Sequence, residues 1–393
     1  KGMDFLLVSG ALRHVVPSTR SPFLEEVRFI SDSLWEEVGK DLVDDNDVRF
    51  RNCILINPVS ETKPVRELQR LKYALRAEFT FADSGGFQLV SKVNLPYDKL
   101  QQKLEEVFWE QSFCDFAFAM DIPCHSFSTE DTLQSALETG INTEKFFQRV
   151  HSGTKLIGFF HGTNYVSKRK WFSYYEKIAN IRKLHGLGLS MVFAHSLLDC
   201  ITLLLLYKEL VQNRYPNIKL LHVLGLLRTS RLVPLYHLVK NLSLPLQYIS
   251  VDSKTLPMAY DVGSMFLRNG KELKTYILSK TYREAYQEVF HVAGKVIRQL
   301  GLKTELLYII DKKGNTELVR IYRRIIKAIF FWVNFYNTVA FLRFNSRPSK
   351  LVELAIKLFS ENKLEELKEL VQSHAVINSK FSPPKTWELD VWL

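Results

Sequence analysis

The sequence predicts an α/β fold: a TIM (β/α)8 barrel with insertions and a mainly helical C-terminal extension. Three observations predict it. Short apolar or β-branched runs recur along the chain. Helix-patterned segments separate most of them, as in a parallel sheet covered on both faces. No Gly-x-Gly-x-x-Gly turn follows the early strands, where a doubly wound nucleotide-binding sheet would usually show one.

The predicted strands are NCILIN (52–57), FTFAD (79–83), CDFAFAMD (114–121), KLIGFFHG (155–162), GLGLS (186–190), KLLHVLG (219–225) and LQYISVD (246–252). Predicted helices between them cover 65–75, 97–111, 128–150, 168–185 and 229–240. Ser128 with Asp131 gives the third of these a start resembling a capping box. Seven units are thus read, and an eighth is expected after 262. The longest apolar stretch, 186–207, contains His195 and Asp199. It reads as a buried strand (186–190) and a buried helix (192–211) rather than a membrane span. Beyond about 300 the pattern changes. ELLYIID (305–311) reads as a strand, 318–350 as a basic aromatic helix, and 351–385 as two amphipathic helices joined near Glu361. The expected domains are a catalytic barrel over 1–300 and a basic helical extension over 301–393.

Composition narrows the class. The chain has 393 residues, 46% of them hydrophobic and 24% charged, enough to bury a large core and unlike a disordered or collagen-like chain. The net charge of +11 suggests a polyanionic partner. Cys53, Cys114, Cys124 and Cys200 stand far apart without a Cys-x-x-Cys pair, so a thiolate metal cluster and a disulfide framework are not expected. The apolar part of KGMDFLLVSG is short for a secretory leader. Reducing, cytoplasmic surroundings are therefore expected, with no membrane partner.

Chemistry in this fold gathers where strands end at the C-terminal face. The predicted ends carry Asp83, Asp121, His161 with Gly162, Gly188, Gly225 and Asp252. No thiol, paired metal-type carboxylates or His-Glu-x-x-His accompanies them, so neither metal nor cofactor is expected. Carboxylates in this setting suit nucleophilic and acid/base chemistry at a sugar carbon. Each aspartate also reads as a helix cap, and His161 as a packed histidine at a strand end.

The run FADSGGFQLVS (81–91) resembles the signature of the tRNA-guanine transglycosylases, TIM-barrel enzymes that exchange guanine for a 7-deazaguanine base. Other segments resemble that family in order: AFAMDIPC, IGFFHG, HGLGLS, KLLHVLGLLRTSRL and YISVDS, together spanning roughly 50–265. The resemblance implies that Asp252 attacks C1′ of the target nucleoside and forms a covalent glycosyl-enzyme. It implies that Asp83 is the general acid and base, and that Asp121 reads the N1–H and exocyclic amine of guanine. Ser84, Gly85, Gly86, Phe87, Gln88, His161, Gly162 and Gly188 would complete the substrate pocket.

Departures from the family point elsewhere within it. The usual zinc site, Cys-x-Cys-x-x-Cys with a His after the nucleophile, has no counterpart, since no cysteine follows Cys200. The family's Gln-Gly-Gly is His161-Gly162-Thr163, and its Gly-Val-Gly is Gly225-Leu226-Leu227. These features resemble the zinc-less DNA-modifying branch of bacteria and their phages. The expected activity is exchange of guanine in DNA for a 7-deazaguanine, inside a bacterial or phage-infected cell. The expected partners are DNA, the free base and a DNA-opening protein. A zinc-less tRNA enzyme and a non-catalytic nucleic-acid-binding barrel are the alternatives. A target base must leave the stack, and phosphate contacts would offset that cost. Candidates are Lys168, Arg169 and Lys170 after the His161 loop, Arg228 and Arg231, and one helix face of Arg320, Arg323, Arg324 and Lys327.

Overall fold

A computed structural model describes residues 2–20, 22–44, 47–58, 65–84, 97–122, 124, 128–150, 153–162, 164–189, 196–225, 229–259, 264–274, 298–299, 301 and 317–378. Eight parallel strands close into a barrel in sequence order: β1 (Met3–Ser9), β2 (Val48–Ile56), β3 (Phe79–Ala82), β4 (Phe116–Phe118), β5 (Lys155–Phe160), β6 (Gly186–Leu189), β7 (Leu220–Val223) and β8 (Tyr248–Ser253). β8 pairs with β1, Leu6 beside Ser250 and Val8 beside Asp252. This is a TIM barrel, as expected from the alternation of strands and helices.

The eighth strand differs from expectation. It is the first segment of the chain, MDFLLVS, and not one after 262. Closure needs a strand that can pair on both edges, and β1 does so, with β2 and with β8. Residues Ser264–Phe266 and Glu272–Lys274 form a separate two-stranded antiparallel sheet. The strand expected at 305–311 lies outside the described residues.

Helices connect the strands: α1 (Phe23–Leu34), α2 (Val65–Ala74), α3 (Tyr97–Gln111), α4 (Thr129–Arg149), α5 (Tyr165–Ile178), α6 (Ser196–Leu206) and α7 (Thr229–Asn241). α1 continues through a wide turn at Trp35–Gly39 and a last turn at Lys40–Val43. Ser128 caps α4 by accepting from the Asp131 N–H. Asn164 starts α5 with a complete capping box: its side chain accepts from the Ser167 N–H at 2.8 Å, and Ser167 Oγ accepts from the Asn164 N–H at 3.0 Å.

Only one helical turn, α8 (Thr255–Met258), directly follows β8. The chain returns later with α9 (Glu317–Ala340), α10 (Lys350–Ser360) and α11 (Leu364–Asn378). α9 packs on α1, and the turn continuing it, Phe341–Asn345, packs on α7. It therefore completes the outer ring between the seventh helix and the first. Trp332 and Phe335 are buried there, and Trp332 Nε1 donates to Ser31 Oγ at 2.9 Å. Asn334 and Asn337 on α9 bond both backbone groups of Phe266, tying in the small sheet. Among the described residues, no helix is long and apolar enough to cross a membrane.

The lumen is filled in layers because alternate residues of each strand point inward. Phe79, Phe116 and Tyr248 form the lower layer, edge to face, with centroids 5.4 to 5.8 Å apart. Above them lie Phe81, Phe118, Phe159 and His222. The His222 ring stands 4.7 Å from that of Phe118 and 6.3 Å from that of Phe81, on the other side of the barrel. Two residues beyond Phe81, Phe159 and Ser250 come Asp83, His161 and Asp252. The aromatic floor thus sets the height of the candidate site.

Candidate functional site at the C-terminal mouth of the barrel

Asp83 directly follows β3, and its N–H continues the ladder to Ile56 O at 2.8 Å. Its carboxylate accepts from the Ser84 N–H at 2.7 Å. The buried amide of Gln111, at the end of α3, donates to Asp83 O and Phe118 O and so ties the ends of β3 and β4 together.

Ser84 and Asp121 meet across these two strand ends. Ser84 Oγ donates to Asp121 Oδ1 at 2.8 Å, and both residues are buried. The second carboxylate oxygen stands 2.9 Å from His161 Nε2. That nitrogen is buried and makes no directed hydrogen bond, so the contact is close but poorly aligned. His161 is fixed from two sides, stacked on Phe159 and edge-on to Trp171. Each oxygen of Asp121 still has acceptor capacity, because a carboxylate oxygen carries two lone pairs. A ligand edge with two adjacent N–H donors fits that capacity.

Asp252, in β8, is held from below. Oδ1 accepts from the Gly225 N–H at 3.0 Å and lies 3.0 Å from His222 Nε2. Gly225 has φ 70°, a left-handed conformation that aims its N–H at the carboxylate without a Cβ penalty. His222 is fully buried, and its Nδ1 lies 2.7 Å from Ser250 Oγ.

Gly162 has φ 111°, and a Cβ there would stand 2.8 Å from the Lys168 N. The turn after His161 therefore requires glycine. Gly188 lies inside β6 rather than at its end, in register with Phe159 and His222. It is level with the floor of the site. Gly85, Gly86, Phe87 and Gln88 lie outside the described residues.

The expected phosphate contacts at 168–170 need correction. These residues lie on the first turns of α5, and Lys168 faces inward, only 1% exposed. Its Nζ donates to Gly162 O at 2.8 Å, which supports the turn beneath His161. A group held this way cannot reach a phosphate. Burial lowers its pKa to about 8, and burial raises that of Asp199 on α6 to about 7, each opposed by the charge of the other. Arg169 is exposed but bonds Glu209 at 2.7 Å, while Lys170 is exposed beside Thr129. Arg231 is exposed on the first turn of α7, and Arg228 lies outside the described residues. Lys327 is half-buried on α9. Arg320, Arg323 and Arg324 lie on the first turns of that helix, and their side chains are outside the described residues.

His222, Ser250 and Gln111 also belong to the site, although the pattern of strand ends does not single them out. The signal for the first two was period-2 alternation: 250 precedes 252 by two, and His222 lies in the adjoining β7. Cys124 is half-buried, and burial pushes its thiol pKa up, as suits an inert group. No group of three or more His, Cys, Asp or Glu among the described residues could hold a metal ion.

The fold and this mouth define a TIM-barrel protein whose rim presents Asp83, Asp121, His161 and Asp252 from four different strands. No protein-family model matches the chain, and no curated protein matches it in sequence.

Proposed function

We propose that the chain is a transglycosylase that exchanges guanine in DNA for a 7-deazaguanine base through a covalent aspartyl-glycosyl intermediate. The observation that carries this reading is the buried Ser84–Asp121–His161 group between the ends of β3, β4 and β5, on the same rim as Asp83 and Asp252. An acceptor carboxylate flanked by a histidine suits the edge of guanine, which offers adjacent N–H donors beside a carbonyl. In this reading Asp121 accepts from N1–H and the exocyclic amine, and His161 Nε2–H donates to the carbonyl oxygen. Asp252 forms a bond to C1′ as the bond from C1′ to the base nitrogen breaks. Asp83 gives a proton to departing guanine and takes one from the incoming base. Water is excluded below the site by the Phe81, Phe118 and Phe159 layer.

The test incubates the protein with duplex DNA, single-stranded DNA and tRNA, each with radiolabelled guanine or a 7-deazaguanine. Label entering DNA supports the proposal. Label entering tRNA alone moves the activity to the tRNA enzyme, and no label in any arm leaves a non-catalytic binding barrel. An Asp252→Asn variant is expected to lose both exchange and any trapped covalent complex. If it still forms the complex, another residue is the nucleophile.

A further inference from the structure

We infer that His222 is the positioning residue for Asp252, acting through a relay that begins at Ser250. The inference rests on the reading of Asp252 as nucleophile.

An ionised carboxylate only accepts hydrogen bonds. His222 Nε2, 3.0 Å from Asp252 Oδ1, therefore carries the proton. In the neutral ring the other nitrogen is then an acceptor. Ser250 Oγ lies 2.7 Å from it and can donate, since a hydroxyl rotates to suit its partner. The chain thus runs one way: Ser250 O–H to Nδ1, and Nε2–H to Oδ1. Phe81 and Phe118 wall the ring, and it is fully buried, so it has no room to turn away. Ser250 and Asp252 sit two residues apart on one strand, so β8 itself fixes the span of the relay.

The relay makes the two oxygens of Asp252 unequal. Oδ1 takes N–H donors from His222 and Gly225. Oδ2 takes none among the described residues. Oδ2 is then the attacking oxygen: its lone pair forms the bond to C1′ while the pair from the breaking bond leaves on guanine. Oδ1 becomes the carbonyl oxygen of the ester and keeps both donors. When the incoming base attacks C1′, the C1′–Oδ2 pair returns to the carboxylate, and the same donors stabilise the returning charge. His222 therefore serves both halves of the exchange without touching substrate.

The test compares His222→Leu, His222→Gln and Ser250→Ala with the wild type in single-turnover formation of the covalent complex. His222→Leu is expected to slow that step about 10- to 100-fold, the scale for letting a fixed nucleophile lose its orientation, with nucleic-acid affinity unchanged. His222→Gln restores a donor and is expected to recover part of the rate. Equal rates for the leucine and glutamine variants would overturn the inference, since packing alone would then explain both. Nitrogen NMR of ¹⁵N-histidine-labelled protein reads the relay without activity. Expected is a protonated Nε2 and an unprotonated Nδ1, with Nδ1 perturbed in Ser250→Ala, the variant least disruptive to folding. A neutral ring protonated on Nδ1 overturns the inference even in an active protein. If the wild type exchanges no base while the NMR shows the relay, the proposed function fails and the His222–Asp252 coupling stands.

Discussion

Replacing Lys168 by Met distinguishes a buried structural amine from a phosphate contact. The aliphatic stem is kept; the ammonium and its bond to Gly162 O are lost. Asp199 then loses its neighbouring cation. In the wild type its folded pKa is about 7 against 3.8 for the free group. Between those values the folded chain holds a proton that the unfolded chain has released, so stability falls as pH rises and levels off above about 7. Without the cation the Asp199 pKa rises further, and the fall continues beyond pH 7. Lys168, lowered to about 8 from 10.5, makes the wild type gain stability above about pH 8, because there the unfolded chain binds the extra proton. The variant lacks that gain. The stability gap therefore widens above pH 7, Asp199 alone adding up to ~1.4 kcal/mol per pH unit. Unfolding entropy of about 2 cal/mol/K per residue gives roughly 0.8 kcal/mol per degree for a chain of this length, so the melting gap grows by ~1.7 °C per pH unit. Thermal melts from pH 6 to 9 measure it, and Asp199→Asn in the Lys168→Met background is expected to remove the Asp199 share. Parallel melting curves for wild type and Lys168→Met, with weaker DNA binding and a salt slope shallower by about one, would refute the buried-pair reasoning.

Four other outcomes are expected. Asp83→Ala slows turnover much more than it weakens nucleic-acid binding, read from single-turnover exchange and equilibrium binding. Ser84→Ala removes the directed donor to buried Asp121 and shifts base affinity about tenfold or more, measured as KM for the free base. Gly162→Ala forces a Cβ into the backbone at Ser167 and Lys168, so it displaces His161 and lowers exchange with a melting loss of a few degrees. Trp332→Ala empties a buried site and removes the bond to Ser31, costing about 3 to 5 kcal/mol and roughly 4 to 6 °C of melting temperature.

The barrel was legible because seven strands carry continuous apolar runs and end in polar residues at matching places. β1 carries the same signal, but at the start of the chain it invites comparison with a leader segment. Only closure, pairing Val8 with Asp252, makes it the eighth strand. Asp83, Asp121, His161 and Asp252 were legible as strand ends. His222 was not, since a polar residue inside a strand gains its meaning from the lumen it faces. Lys168 was misread from its charge, although spacing marks it as interior: Tyr165, Lys168, Phe172 and Tyr175 form one buried stripe of α5. The identity of the long-range partners Ser31 and Trp332, 301 positions apart, has no local signal at all.

That last pair bears on synthesis. During translation the first helix emerges long before the helix that covers it, so the wall between the seventh helix and the first stays open while most of the barrel already exists. Until residues beyond 330 leave the ribosome, the face that receives Trp332 is a sticky flank. Premature termination, or an insertion that delays α9, would therefore release a nearly whole barrel with an open side, the kind of intermediate that aggregates or recruits a chaperone.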